Sequence, residues 1–232
     1  MQTMDSVGTL DKDGTANSKL VLTLRGDEEI AVRQALRQMT PAQHAQFVQQ
    51  LSQGIGYAGT TSEPEVSRLE DTAVPLTIRY NYKREKTGDW DNLKIVPQLA
   101  PVFLPRVDEK EPPVQTILLG VPRVETSTSA MKLPDGWGVE LPEAIHQKSV
   151  YATYDETYRF EKGTLYVERR VEVRKQKVPV SDWKSYKKWT DDADLDHDLW
   201  IQLVTNDHKV AGGSEGSPKP ASAEAGVLVG ST

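Results

Sequence analysis

Between Ser149 and Val178 the chain alternates apolar and polar residues over two consecutive runs, SVYATYDETYRF and LYVERRVEVRKQKV, joined by EKGT. Val150, Ala152, Tyr154, Tyr158 and Phe160 fall on one side of the first run, and Glu156 interrupts them. Leu165, Val167, Val171 and Val173 fall on one side of the second, with Arg169 out of pattern. A period of two marks a strand with one buried face. The short polar link contains Gly163, which can take the positive φ a tight hairpin requires. The stretch therefore predicts a long antiparallel hairpin, each arm longer than an average strand.

A chain of 232 residues can hold one large β domain or two of about 100 residues each. Its formal net charge of −6 is spread over both signs, so no basic field is present to attract nucleic acid or anionic lipid. The longest apolar runs, such as Ile117-Leu118-Leu119, are far too short to span a bilayer as a helix. Gln2-Thr3-Met4-Asp5 after Met1 lacks the charged and apolar regions of a signal peptide. The chain has no cysteine, which removes disulfides, thiolate metal sites and a cysteine nucleophile without fixing the compartment.

In chain order, Val7–Leu10 and Leu20–Leu24 flank Asp13-Gly14 and predict a first hairpin. Asp27 is the expected N-cap of a helix carrying Ile30, Ala31, Ala35, Leu36 and Met39 on one stripe, and Thr40-Pro41 restarts it. Phe47, Val48, Leu51 and Ile55 extend the apolar side to Gly54 or Gly56. Packing against a sheet explains this pair of helices better than an exposed partner-binding role, because the stripe is no wider than a core-facing one. Leu76, Ile78, Tyr80 and Tyr82 predict a strand. Pro97, Pro101 and Pro105 exclude a helix or central strand and leave an extended edge or linker. Residues 106–113 (RVDEKEPP) are the best candidate boundary between two halves. Strands are expected near 114–121, 123–131 and 139–142. A C-terminal helix is expected near 181–204, starting at Ser181 and carrying Trp183, Tyr186, Trp189, Trp200 and Leu203. Residues 211–232 are rich in Gly, Ser, Ala, Pro and Glu and are expected to be disordered.

The candidate chemistry is sparse. Asp192, Asp194, Asp196 and Asp198 alternate like the first ligands of a calcium loop, but His197 and Leu203 stand where glycine and a bidentate carboxylate are needed. The four histidines, His44, His146, His197 and His208, show no metal-binding spacing, and no metal or cofactor is expected. Ser149 and Ser181 lie outside any nucleophile elbow, and no glycine-rich phosphate cradle is present. Among the aromatics, Tyr154 and Tyr158 share the core face with Val150 and Phe160. Trp137, Tyr151 and Tyr166 remain as possible ligand contacts, the two tyrosines on the outer face of the hairpin.

The run from Leu133 to Trp189 (LPDGWGVELPEAIHQKSVYATYDETYRFEKGTLYVERRVEVRKQKVPVSDWKSYKKW) resembles the C-terminal β-rich region of bacterial transglutaminase-like proteins that begin with a β-rich domain of unknown function. Val7–Leu10 with Asp13-Gly14-Thr15, Leu36-Arg37, Tyr80–Tyr82 and Asp89-Trp90-Asp91 are similar to the segment that follows the catalytic core of such proteins. The resemblance runs from residue 6 to about 204 and rests on the order of several weak motifs. It implies a cell-envelope or periplasmic setting and, as partner, a transglutaminase-like catalytic domain. The Cys-His-Asp constellation of that core has no counterpart here.

The combined expectation is a mainly β chain (all-β with minor α) built as two consecutive antiparallel β-sandwich-like halves, residues 6–105 and 114–205. A helical hairpin near 27–55 covers the first and a C-terminal helix the second, with one continuous sheet through both halves as the alternative. The expected role is a non-catalytic accessory module without nucleic-acid binding or membrane insertion. The alternative is a stand-alone module that binds an envelope glycan or protein.

Overall fold

The structure, a computed structural model, describes residues 1–107, 112–193 and 200–205. Its first part contains β1 (Gln2–Leu10), β2 (Ala16–Leu24), α1 (Asp27–Arg37), α2 (Pro41–Gly54), β3 (Thr60–Val66), β4 (Leu76–Arg84) and β5 (Lys94–Ile95). The second contains β6 (Ile117–Leu118), β7 (Arg123–Lys132), β8 (Gly138–Glu140), β9 (Ile145–Lys148), β10 (Ala152–Glu161), β11 (Thr164–Val173), β12 (Lys177–Val178), α3 (Trp183–Asp192) and β13 (Ile201–Val204). The fold is mainly β, as expected.

The expected hairpin is β10–β11, paired in register from Ala152↔Val173 to Glu161↔Thr164. Its turn is tighter than the four-residue link suggested. Only Lys162 (φ 50°) and Gly163 (φ 73°) lie between the strands, and positive φ at both positions gives the twist that matches a hairpin. β1 and β2 form the expected first hairpin.

Eight strands make one sheet in the order β3-β4-β2-β1-β7-β11-β10-β9. The two halves meet where β1 and β7 run parallel, from Gln2↔Glu125 to Thr9↔Lys132. Every other pair in the sheet is antiparallel. The arrangement is therefore the continuous sheet and not two separate sandwiches. A parallel pair between strands more than 110 residues apart leaves no local sequence signature, because its register is set by burial on a shared face.

That shared face is largely buried along the six inner strands, covered by helices, a strap and a small sheet. Met4, Leu20, Leu22, Leu24, Leu76, Ile78 and Tyr80 form a cluster with Leu36 of α1 and Val48 of α2. Tyr154, Val171 and Val173 pack with Trp183, Tyr186 and Trp189 of α3. Leu10, Met131, Leu165 and Val167 pack with Ile95, Ile201 and Leu203, which belong to the small sheet β5-β13-β8.

Residues 96–107, expected to be an edge or linker, cross the core face as an irregular strap. Ala100 joins the first cluster, Leu104 and Val107 the second, and Leu99 the third. Prolines suit this role because each lacks the N–H that burial would leave unpaired. The strap is fixed chiefly through other groups. The Ala100 N–H donates to Ser127 Oγ at 3.2 Å, and Ser6 Oγ donates to Gln98 Oε1 at 2.6 Å. The Tyr186 hydroxyl donates to the Pro105 carbonyl at 2.8 Å.

The α1 N-cap is Gly26, not Asp27, so Asp27, Glu28 and Glu29 occupy the first turn, where carboxylates complement the helix dipole. Thr40 and Pro41 open α2 as expected, with the Thr40 N–H donating to Gln43 Oε1 at 2.7 Å. The expected C-terminal helix is shorter than its spacing implied. α3 starts at Trp183 with Asp182 as N-cap, and Ile201–Val204 is a strand between β5 and β8. A four-residue apolar run fits either period, and pairing on both sides decides it. Residues 108–111 of the expected boundary, Asp194, Asp196, His197, Asp198, His208 and the 211–232 tail lie outside the described residues.

Candidate functional site

The two residues that broke the hairpin alternation face each other. Glu156 and Arg169 are cross-strand partners on the core side of the sheet, and the Glu156 side chain is wholly buried. Arg169 Nε donates to Glu156 Oε2 at 2.9 Å and Nη2 to Oε1 at 3.4 Å, while Nη1 donates to the Ala100 carbonyl of the strap at 3.1 Å. The Tyr154 hydroxyl also donates to Glu156 Oε2. Burial and then the neighbouring carboxylate push the phenols of Tyr154 and Tyr158 far above the ordinary tyrosine value, with the Arg169 charge opposing. All of these groups face inward. The arrangement ties strap to sheet and presents no reactive group to solvent.

A second buried pair behaves the same way. Arg33 Nε donates to Glu29 Oε1 at 2.9 Å, and its remaining nitrogens donate to the carbonyls of Arg68, Leu69 and Val74. Burial alone would push the Glu29 carboxyl up, but the Arg33 hydrogen bond and the charges of Arg25 and Arg33 outweigh it and hold it below the ordinary range. The pair fastens the connection between β3 and β4 to α1.

The three possible ligand contacts do not converge. Tyr151 is buried, not outward-facing. Its hydroxyl donates to Asp182 and its ring meets Tyr186 edge to face at 6.3 Å. It precedes β10, outside the alternation of the strand, as does Val150, which was expected on the core face and is exposed. Its phenol is raised to about 12, first by the Asp182 hydrogen bond and then by burial. Tyr166 is on the outer face, half-buried beneath the Arg159 guanidinium at 4.1 Å from the ring centre. Trp137 packs on the opposite, core-side cluster and stacks on Trp90 with ring centres 5.7 Å apart. The sheet separates Trp137 from Tyr166. A hollow of 330 Å³ lies beside Trp137, bounded by Asp135, Phe160 and Lys162 among others.

The remaining polar candidates have structural partners. Ser149 Oγ accepts from the N–H groups of Tyr151 and Ala152 and donates to the Ala152 carbonyl, a local turn that starts β10. Ser181 Oγ donates to Asp182 Oδ1 at 2.8 Å. His44 Nε2 lies 3.0 Å from the Leu36 carbonyl, and His146 Nδ1 lies 3.0 Å from Asp155 Oδ1 on an exposed edge. Among the described residues, no group of three or more His, Asp or Glu side chains is placed to hold a metal ion. No helix among them is long and apolar enough to cross a membrane.

The outer face of the sheet is where the molecule is open. Across β7, β1, β2, β4 and β3 it forms a shallow groove of 760 Å³ lined by Val7, Thr9, Asn17, Lys19, Asn81 and Lys83 among others. Two cross-strand rows make its floor. One runs Lys132, Thr9, Asn17, Lys83, Thr60, and the other Ala130, Val7, Lys19, Asn81, Ser62. Four of these ten residues come from β1 and its neighbour β7, so the rows reach their full width only because the parallel join brings the halves together. Reading single strands could identify each residue as outward-facing. It could not place them in one row.

Comparison with family models, curated proteins and solved structures gives no match for this chain.

Proposed function

We propose that this chain is a non-catalytic accessory module of a transglutaminase-like cell-envelope protein, supporting or positioning a catalytic core that the chain does not itself contain. The observation that carries this reading is the use made of the buried charges. Glu29–Arg33 and Glu156–Arg169 are spent on fastening a loop and a strap to the fold, whereas catalytic groups with perturbed ionisation face a cleft. The order of weak motifs from Val7 to Trp189 resembles that family, and the periplasmic setting is what the resemblance implies. The unbroken eight-stranded sheet suits a rigid support.

The reading is tested by incubating the purified chain with glutamine peptides and a labelled amine, and separately with unlabelled peptides. Hydrolysis or cross-linking above the buffer rate would overturn it. Addition of the chain to a purified transglutaminase-like core should raise the melting temperature of that core.

The groove on the outer face favours a second reading, a stand-alone module that binds an envelope glycan or protein. On this reading ligand binding is retained in the isolated chain and no catalytic core is needed. Tyr166→Ala separates the site first expected from the groove: it should leave groove binding intact.

A further inference from the structure

We propose that the outer-face groove is a binding site for an acidic polysaccharide, a chain carrying carboxylates at intervals and laid across the strands. The inference deepens the binding-module reading and rests on it for the existence of a ligand.

The chain carries a formal net charge of −6, yet the charged side chains that line the groove, Lys19, Lys83 and Lys132, are all cations, with the carboxylates of Asp11, Glu63 and Glu85 set beside it against Asn17, Asn81 and Lys83. The spacing of the three lysines then narrows the ligand. Lys132 and Lys83 stand in the same cross-strand row on β7 and β4, three strand intervals apart. At about 4.8 Å per interval this is roughly 14 Å. Lys19 sits between them in the adjoining row. Three cations strung along such a line do not converge on one small anion. They match a polymer whose charges recur along its length.

The groups between the lysines fit sugar hydroxyls. Asn17 Nδ2 donates to Asp11 Oδ2 at 3.0 Å and Asn81 Nδ2 donates to Glu63 Oε2 at 2.7 Å. Those bonds fix both amides, and each carbonyl oxygen is then the group left to accept. Thr9, Thr60 and Ser62 add side-chain hydroxyls. Val7 supplies the one large apolar surface on the two rows, 64% exposed.

A peptide fits less well. The strands under the groove are paired on both sides except β3 at the edge, so the floor offers no row of open backbone groups for an added strand. β3 is itself irregular, with a register shift between Ser62 and Glu65 and Glu63 at φ 51°, which is how natural edges resist added strands.

The experiment uses the full chain and calorimetric titration with tetragalacturonate, with neutral maltotetraose and a tetraglutamate peptide as comparison probes. Saturable binding of tetragalacturonate, weakened at least tenfold in K19Q/K83Q/K132Q and unaffected by Y166A, is the expected result. All three lysines are on the solvated face, and an unchanged melting temperature checks that the triple variant is folded. Equal binding of tetragalacturonate by the triple variant would overturn the proposal. So would tetraglutamate binding as tightly, which would reduce the site to charge alone. Binding of maltotetraose but not tetragalacturonate would overturn the acidic class while leaving the binding-module reading standing. No binding of any probe would count against both.

Discussion

Replacing Arg169 by Leu should be among the most damaging single changes available to this fold. Arg169 makes two charged hydrogen bonds to Glu156 and one to the Ala100 carbonyl. Its loss leaves a wholly buried carboxylate whose remaining partner is the Tyr154 hydroxyl. Breaking a buried ion pair by removing one partner costs about 3–5 kcal/mol, much of it from the stranded charge. For a domain of this size that corresponds to a fall of roughly 6–20 °C in melting temperature. Urea unfolding followed by tryptophan fluorescence should show a lower midpoint at unchanged slope. Adding Glu156→Gln to the Leu variant removes the stranded charge and should recover roughly half of the loss. Amide exchange along residues 96–104 should quicken in the single variant, because the strap loses its tie. A loss below about 1 kcal/mol, or a further loss on adding Glu156→Gln, would refute the reasoning.

Arg33→Met should cost about 3 kcal/mol by the same argument and expose the β3–β4 connection to limited proteolysis, since the carbonyls of Arg68 and Val74 lose the Arg33 donor and that of Leu69 keeps the one from Arg37. Glu29 has a lowered folded value, so its contribution is present above about pH 4.5 and lost as the pH falls through that lowered value. Urea midpoints at pH 6 and pH 3 should show this acid-side loss shrinking in Arg33→Met. At the other end of the scale, Tyr151 is raised to about 12, so the stability it contributes is complete below pH 10 and falls between pH 10 and about 12. Tyr151→Phe should lose less than the wild type between pH 9 and pH 11. Gly14 has φ +88°, and a Cβ there would lie 2.6 Å from the Trp90 ring. Gly14→Ala should therefore destabilise by about 1–3 kcal/mol and alter the near-ultraviolet dichroism of the Trp90–Trp137 stack.

The sequence by itself determined the local elements. The hairpin at 152–173, the first hairpin, the helix pair and the buried parity of most strands follow from a period of two or of 3.6, and these are properties of neighbouring residues. The same alternation flagged Glu156 and Arg169 as exceptions. What it could not say is that each exception is the other's partner, because that depends on cross-strand register. The tertiary structure alone decided that a proline-rich stretch is a buried strap and that Ile201–Val204 is a strand. It also decided that Tyr151 is an interior residue. In each case distant groups satisfy or bury what the local pattern left open. The groove is the clearest instance. Lys132 and Lys83 lie 49 positions apart in sequence and acquire a common row only through β1, whose parallel pairing with β7 joins the halves. Local periodicity fixes which way a side chain points, while the partners it meets depend on long-range pairing that buries one continuous face.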